Sequence, residues 1–221
     1  MSIPSHLIPA GVAIFFFIIF LVLLAFLVYF TPWYKFRHAD YRHVFLGSIA
    51  GLIVLWNINA GALPALDFHY VGAMILTLMF GWQYAIWALL LVLLSQIFTG
   101  VIDWSSYAIN AVFYAFVLIY VANLIYKLVD RKLPDHFFVY IYGAGFFGSA
   151  ILIVSMVLLT SVYLLITGAY EWSTLVRNYI RYTPLMMFVE AFISGLLITL
   201  LVVFRPRWVT TFDDDKYIKG K

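Results

Sequence analysis

The run AIFFFIIFLVLLAFLVYF, residues 13–30, holds no charged or amide side chain over eighteen consecutive positions. A helix that is apolar on every face needs an apolar surrounding, and a bilayer core about 30 Å thick takes about 20 such residues per crossing. A spanning β-strand needs only about 10 residues with alternating faces, so this run points to helices rather than a barrel. The remainder of the chain agrees. Of its 221 residues, 10% are charged and 66% hydrophobic, against about 25% charged in a soluble domain. The sequence therefore predicts an all-α, polytopic membrane protein. Cysteine is absent, which excludes thiolate metal ligation, redox pairs and disulfides.

Cut at its polar and turn-forming positions, the sequence yields about seven transmembrane helices, near 7–30, 44–56, 68–80, 84–98, 108–126, 137–166 and 185–204. Only GWQ (81–83) separates the third from the fourth, which predicts a helical hairpin. No lysine or arginine precedes Lys35, so the first helix lacks the basic flank of a signal peptide and is expected to stay as a span. Residues 1–207 read as one transmembrane domain, followed by a short solvated cytoplasmic tail, 208–221.

Basic residues accumulate on the cytoplasmic side of membrane proteins. Lys35, Arg37 and Arg42 follow helix one, Lys127, Arg131 and Lys132 follow helix five, and Arg205, Arg207, Lys216, Lys219 and Lys221 follow helix seven. Only Arg177 and Arg181 fall on the other side. The expected orientation has the N-terminus outside and the C-terminus in the cytoplasm.

That orientation gathers His6, Asp67, His69, Asp103 and the terminal amine of Met1 on the outer side. Imidazole and carboxylate suit divalent transition metals, and these five positions form the candidate ligand set. A structural reading stands beside it. In LPALDFHYVGAM (63–74), Asp67 has the chemistry of a helix N-cap and His69 that of an interfacial residue, while Asp103 and His6 have the chemistry of ordinary loop and terminal residues. Glu190, within PLMMFVEAFISG (184–195), is an intramembrane carboxylate, and such groups default to functional roles. It is a candidate to face the pocket, carry protons, or pair with Arg181. Met186 and Met187 nearby are candidate soft ligands or gap fillers. Gly47 and Gly51, and separately Gly143, Gly145 and Gly148, mark faces for close helix packing or for contact with a partner protein, and the sequence leaves both open. The 7 tryptophans and 16 tyrosines, Trp104 among them, fit aromatic belts at the two interfaces.

Two stretches, FHYVGAMILTLMFGW (68–82) and LLLVLLSQIFTGVIDWSSYAINAVFYA (89–115), carry a family likeness. The chain resembles the CbiM/NikM group, the substrate-specific membrane components of energy-coupling-factor (ECF) importers for cobalt and nickel, and in particular a proteobacterial branch. The likeness runs from about Trp56 to Tyr217. In that family a histidine opens a glycine-containing helix, the next helix ends in glutamine, and a Gly-rich loop reaches an asparagine. His69, Gln96 and Asn110 match those positions. The resemblance implies a metal held by the terminal amine, a histidine at position two and the helix-opening histidine. Here position two is Ser2, and GVIDWSSYAIN (100–110) lacks the family's paired glycines. His6 is the candidate replacement for the missing imidazole, with Asp67 or Asp103 adding an oxygen ligand. Gln96, Asn110 and Glu190 are candidate supports around those ligands, or makers of interhelical hydrogen bonds.

No G-x-x-x-x-G-K-[ST] loop, H-E-x-x-H or G-x-S-x-G occurs, so the expectation is not an enzyme. The expected role is capture and passage of Co²⁺ or Ni²⁺ in the bacterial inner membrane, energised by separate ECF-type ATPase subunits and a coupling transmembrane subunit. No resident cofactor and no nucleic-acid partner is expected. Two other classes stay open: an ATP-independent channel or secondary transporter using Glu190 and Asp103, and a membrane scaffold that binds no small ligand.

Overall fold

A computed structural model of the chain describes residues 2–59, 61 and 63–219. It is all helical, with eight main helices: α1 (Ala10–Phe30), α2 (Ala39–Trp56), α3 (Ala73–Phe80), α4 (Trp82–Phe98), α5 (Trp104–Lys132), α6 (Phe137–Ile166), α7 (Trp172–Asn178) and α8 (Thr183–Phe204). Among the described residues, Ala10–Phe30, Trp104–Lys132, Phe137–Ile166 and Trp172–Phe204 are long and apolar enough to cross a membrane, and α4 is a shorter apolar helix. The seven expected helices are thus recovered approximately. α1 follows Pro9 and stops just before Pro32, as expected where proline removes a backbone donor. Most of its large side chains are exposed, which places it on the lipid-facing edge of the bundle.

α3 is the centre of the molecule. All eight of its residues are buried, and α4, α5, α6 and α8 pack around it. Gly72 at φ 70° precedes it and Gly81 at φ 80° ends it, positions where a side chain would strain the backbone. The predicted hairpin between α3 and α4 therefore turns on one residue. Its turn lies at the end of the bundle where α1 finishes, since the Tyr84 hydroxyl donates to Pro32 O at 3.0 Å and Trp87 Nε1 to Thr31 Oγ1 at 3.0 Å.

The third helix differs from its expected span, 68–80. Residues 68–72 are non-helical and the helix starts at Ala73. Eight residues of helix rise only about 12 Å, so non-helical backbone has to reach membrane depth before α3 begins. Such backbone is tolerated there only when it is buried in protein and its polar groups are satisfied. A buried helix also leaves its first N–H and last C=O groups without partners. Both ends of α3 meet this demand through distant residues. At its start Glu190 of α8 accepts from Val71 N at 2.8 Å and Gly72 N at 2.7 Å. At its finish Thr210 N donates to Met79 O at 2.9 Å and Thr211 Oγ1 to Leu78 O at 2.8 Å.

The C-terminal segment is consequently not the solvated tail that the sequence suggested. Val209 and Tyr217 are buried, and the Tyr217 hydroxyl and Lys216 Nζ both donate to Asp130 Oδ1 at 2.6 Å. That carboxylate raises the Lys216 ammonium above its usual range. Capping α3 is what draws the segment in.

The two glycine groups also part ways. Gly145 brings α6 against α8, where an added Cβ would lie 2.5 Å from Ile198 Cγ2, and Gly148 brings α6 against Met74 of α3 at 3.1 Å. Close packing holds there. An added Cβ on Gly47 or Gly51 of α2 meets nothing within 4 Å, so that face is open.

Candidate metal centre

The candidate site is built on the non-helical segment before α3, and nearly every residue of it is tied down. Phe68 stacks on Tyr179, centroids 4.8 Å apart. The Tyr70 hydroxyl is 2.9 Å from Ser194 Oγ of α8. Val71 and Gly72 give their amides to Glu190, and Val71 O accepts from Trp56 Nε1 at 3.3 Å. His69 sits within this scaffold, 7% exposed, its ring 4.3 Å from the Trp56 ring.

His69 Nδ1 lies 3.2 Å from Tyr70 O. A proton on Nδ1 would be donated to that carbonyl, leaving the Nε2 lone pair for a metal. This is the usual division of labour in a ligating histidine, where a bond at one nitrogen fixes ring and tautomer. Asp67, two residues before His69, is half-buried. Tyr114 of α5 bonds Thr160 of α6 at 3.0 Å. Asp67 is not the N-cap of helix three, because that helix starts six residues later with Gly72 in the cap position.

The N-terminal segment docks against the same bundle. Ile3 is fully buried, and Asn110 pairs with its backbone from both sides. Ile3 N donates to Asn110 Oδ1 at 2.8 Å, and Asn110 Nδ2 donates to Ile3 O at 2.9 Å. Asn110 lies where α5 passes into a π-helical stretch, Ala111–Val117, an irregularity that often accompanies functional positions. Ser5 Oγ donates to Asp103 Oδ2 at 2.5 Å. Ser2 is buried, and Met1 lies outside the described residues.

Among the described candidates, Asp67 and His69 share the buried segment before α3, whereas Asp103 and His6 stand at exposed positions. Asp103 is exposed and caps α5 through a reciprocal pair with Ser106. His6 is exposed on a single turn, Ser5–Leu7. Among the described residues no three His, Asp or Glu side chains gather as a metal cluster. Gln96 is 2% exposed. Its backbone oxygen accepts from Val101 N at 2.9 Å, and its Nε2 has no hydrogen-bond partner among the described residues. Glu190 is engaged by backbone and forms no ion pair with Arg181 among the described residues. Trp56, the platform under His69, was not singled out from sequence, where it reads as one more interfacial tryptophan.

Comparison with known proteins agrees with this architecture. A family model described as the cobalt uptake substrate-specific transmembrane region, CbiM, matches residues 2–208. Two solved structures share the fold. One, titled a truncated transition metal transporter, is 18% identical with TM-score 0.78, over 92% of this chain and 99% of that one. The other, titled a transition metal transporter, is 20% identical with TM-score 0.73, over 91% of this chain and 92% of that one. At such identities the likeness speaks for fold alone. No curated protein matches the sequence.

Proposed function

This chain belongs to the CbiM family of cobalt-uptake substrate-specific transmembrane regions, and on that premise we propose that His69 supplies the imidazole that captures its metal. The protein is a multi-pass membrane component for metal uptake. The finer reading is a divalent ion of the cobalt or nickel class, carried as substrate across a bacterial inner membrane with the N-terminus outside. The observation that carries it is the buried His69 ring against Trp56 with Nδ1 facing Tyr70 O, an arrangement in which a proton on Nδ1 would leave Nε2 to ligate. Asp67 is the neighbouring oxygen ligand. The family resemblance adds the terminal amine of Met1, brought in by the N-terminal segment that Asn110 holds. His6 and Asp103, both exposed, are the less favoured ligands. Gln96 and Glu190 act around the site, Glu190 through the backbone it binds.

The sequence holds no phosphate-binding loop, so energy for transport comes from separate ATPase and coupling subunits of the ECF type. The reading needs no resident cofactor and no catalytic step. The test is metal analysis and calorimetry on gently purified protein. His69→Ala is expected to weaken Co²⁺ or Ni²⁺ binding by well over tenfold, since losing even an outer partner of a ligand costs about 10–100-fold. His136→Ala, an exposed residue beyond the far end of α5, leaves binding intact. Burial holds the His69 imidazole well below its usual range, to about 3, so wild-type binding persists through the ordinary imidazole range and weakens only at lower pH, where the ring takes up a proton and stops ligating. Unchanged affinity in folded His69→Ala would remove His69 from the site. Uptake into liposomes by this chain alone would favour a channel or secondary transporter instead.

A further inference from the structure

Away from the metal centre, two adjoining hollows open on the side of the bundle formed by α2, α3 and α8. The first is an apolar groove of about 550 Å³ whose walls include Gly47, Gly51, Leu52, Leu76, Met79 and Leu201. The open glycine face of α2 gives it its width, since among the described residues no atom lies within 4 Å of a Cβ added to either glycine. The second, about 500 Å³, is polar and is lined by Asp40, His43, Arg205 and Arg207 among others. His43, Val44 and Trp208 border both hollows, so they are continuous. Arg205 lies over the Trp208 ring at 5.9 Å. Among the described residues neither arginine has a salt-bridge partner.

We propose that the two hollows together form a binding site for one anionic phospholipid, its acyl chain in the groove and its phosphate against Arg205, Arg207 and His43. The order of chemistry along the site carries the assignment. The apolar part runs along the membrane-embedded helices, and the cationic part begins where α8 ends at Phe204. This is the polarity gradient of a lipid entering from one leaflet. A packed protein helix would be matched by the groove alone and would leave two unpaired guanidinium groups unexplained. Basic pockets between transmembrane helices on the cytoplasmic side are known to take anionic headgroups, and the basic-residue distribution places this end there. Trp208 suits the boundary, its ring apolar and its position at headgroup level. Asp40 opposes the phosphate and moderates its affinity.

The test is native mass spectrometry of the purified protein from micelles doped with equal phosphatidylglycerol, phosphatidylethanolamine and phosphatidylcholine. Phosphatidylglycerol is expected to be retained preferentially, by roughly fivefold for each arginine that meets it. R205Q/R207Q removes the preference and D40N strengthens it. Gly51→Leu, at a position where an added Cβ meets no described atom within 4 Å, narrows the groove and lowers retention of phosphatidylglycerol. R177Q/R181Q, at the opposite end of the bundle, leaves retention unchanged. Equal retention of the three lipids by wild type, or full preference surviving in R205Q/R207Q, would overturn the proposal. So would an equal loss in R177Q/R181Q, because the effect would then be one of overall charge.

Discussion

Glu190→Gln is the perturbation that separates a backbone clamp from a direct role in metal or proton chemistry. The carboxylate is 1% exposed and both its oxygens accept, from Val71 N at 2.8 Å and Gly72 N at 2.7 Å. Glutamine keeps the length and volume but offers one acceptor oxygen. Its amide NH₂ then faces the second backbone N–H, donor against donor. A buried N–H left without an acceptor costs about 1–3 kcal/mol, and polar contacts within membrane bundles average about 0.6 and reach about 1.7 kcal/mol. A cost of about 1–2 kcal/mol follows. It falls on the segment that carries His69, two residues upstream of the clamp. If that cost is met on metal binding, affinity drops about 5–30-fold at 1.4 kcal/mol per decade. Calorimetry with Co²⁺ reads the affinity, and hydrogen exchange of peptides covering 68–74 reads the clamp. The expected result is a joint change, weaker binding together with faster exchange. Lost affinity with unchanged exchange would refute the clamp and make Glu190 a direct participant. Unchanged affinity with faster exchange would separate the clamp from the site.

Asn110→Leu keeps volume but removes both bonds to Ile3. Exchange across residues 2–7 should quicken and Co²⁺ affinity fall by about 10–100-fold, the range for losing a supporting partner. Gly145→Val drives a side chain into Ile198 and should destabilise by about 1–3 kcal/mol, as overpacking does, whereas Gly47→Ala should leave the melting temperature unchanged. Thermal unfolding in detergent checks the pair, and equal effects would deny that the two glycine groups differ.

The membrane helices were legible in sequence because lipid imposes a composition that survives any detail of packing. α1, α4 and α6 end within a few residues of their expected limits. The segment before α3 was not legible. Phe68, Tyr70 and Val71 are as apolar as helical neighbours, and hydropathy alone cannot tell buried non-helical backbone from buried helix. Asp67 looked like a cap for the same reason. Glu190 stood out as an intramembrane carboxylate. Its partners did not, since backbone amides carry no residue identity. Gly47 and Gly51 form a small-residue face on which nothing among the described residues packs, which leaves the partner-facing alternative that the sequence offered. Tyr217 hid in a charged tail because its burial depends on Asp130, 87 positions away.

The same bonds bear on the choice between an energised capture component and an ion-coupled carrier. A carrier needs acidic groups that exchange ions or protons during transport, and Glu190 and Asp103 are the acids the sequence offers for that task. Glu190 is held by two backbone amides whose release would unfasten the start of a buried helix. Asp103 is held by the cap of α5 and by Ser5. Cycling either group would require dismantling the segment that it fixes, at a cost repeated in every turnover. Acids committed to holding backbone are poorly placed to exchange ions. The bonds that Glu190 and Asp103 make therefore weigh against their use in an ion-coupled cycle, because each carboxylate is spent on the backbone or side chain that it fixes.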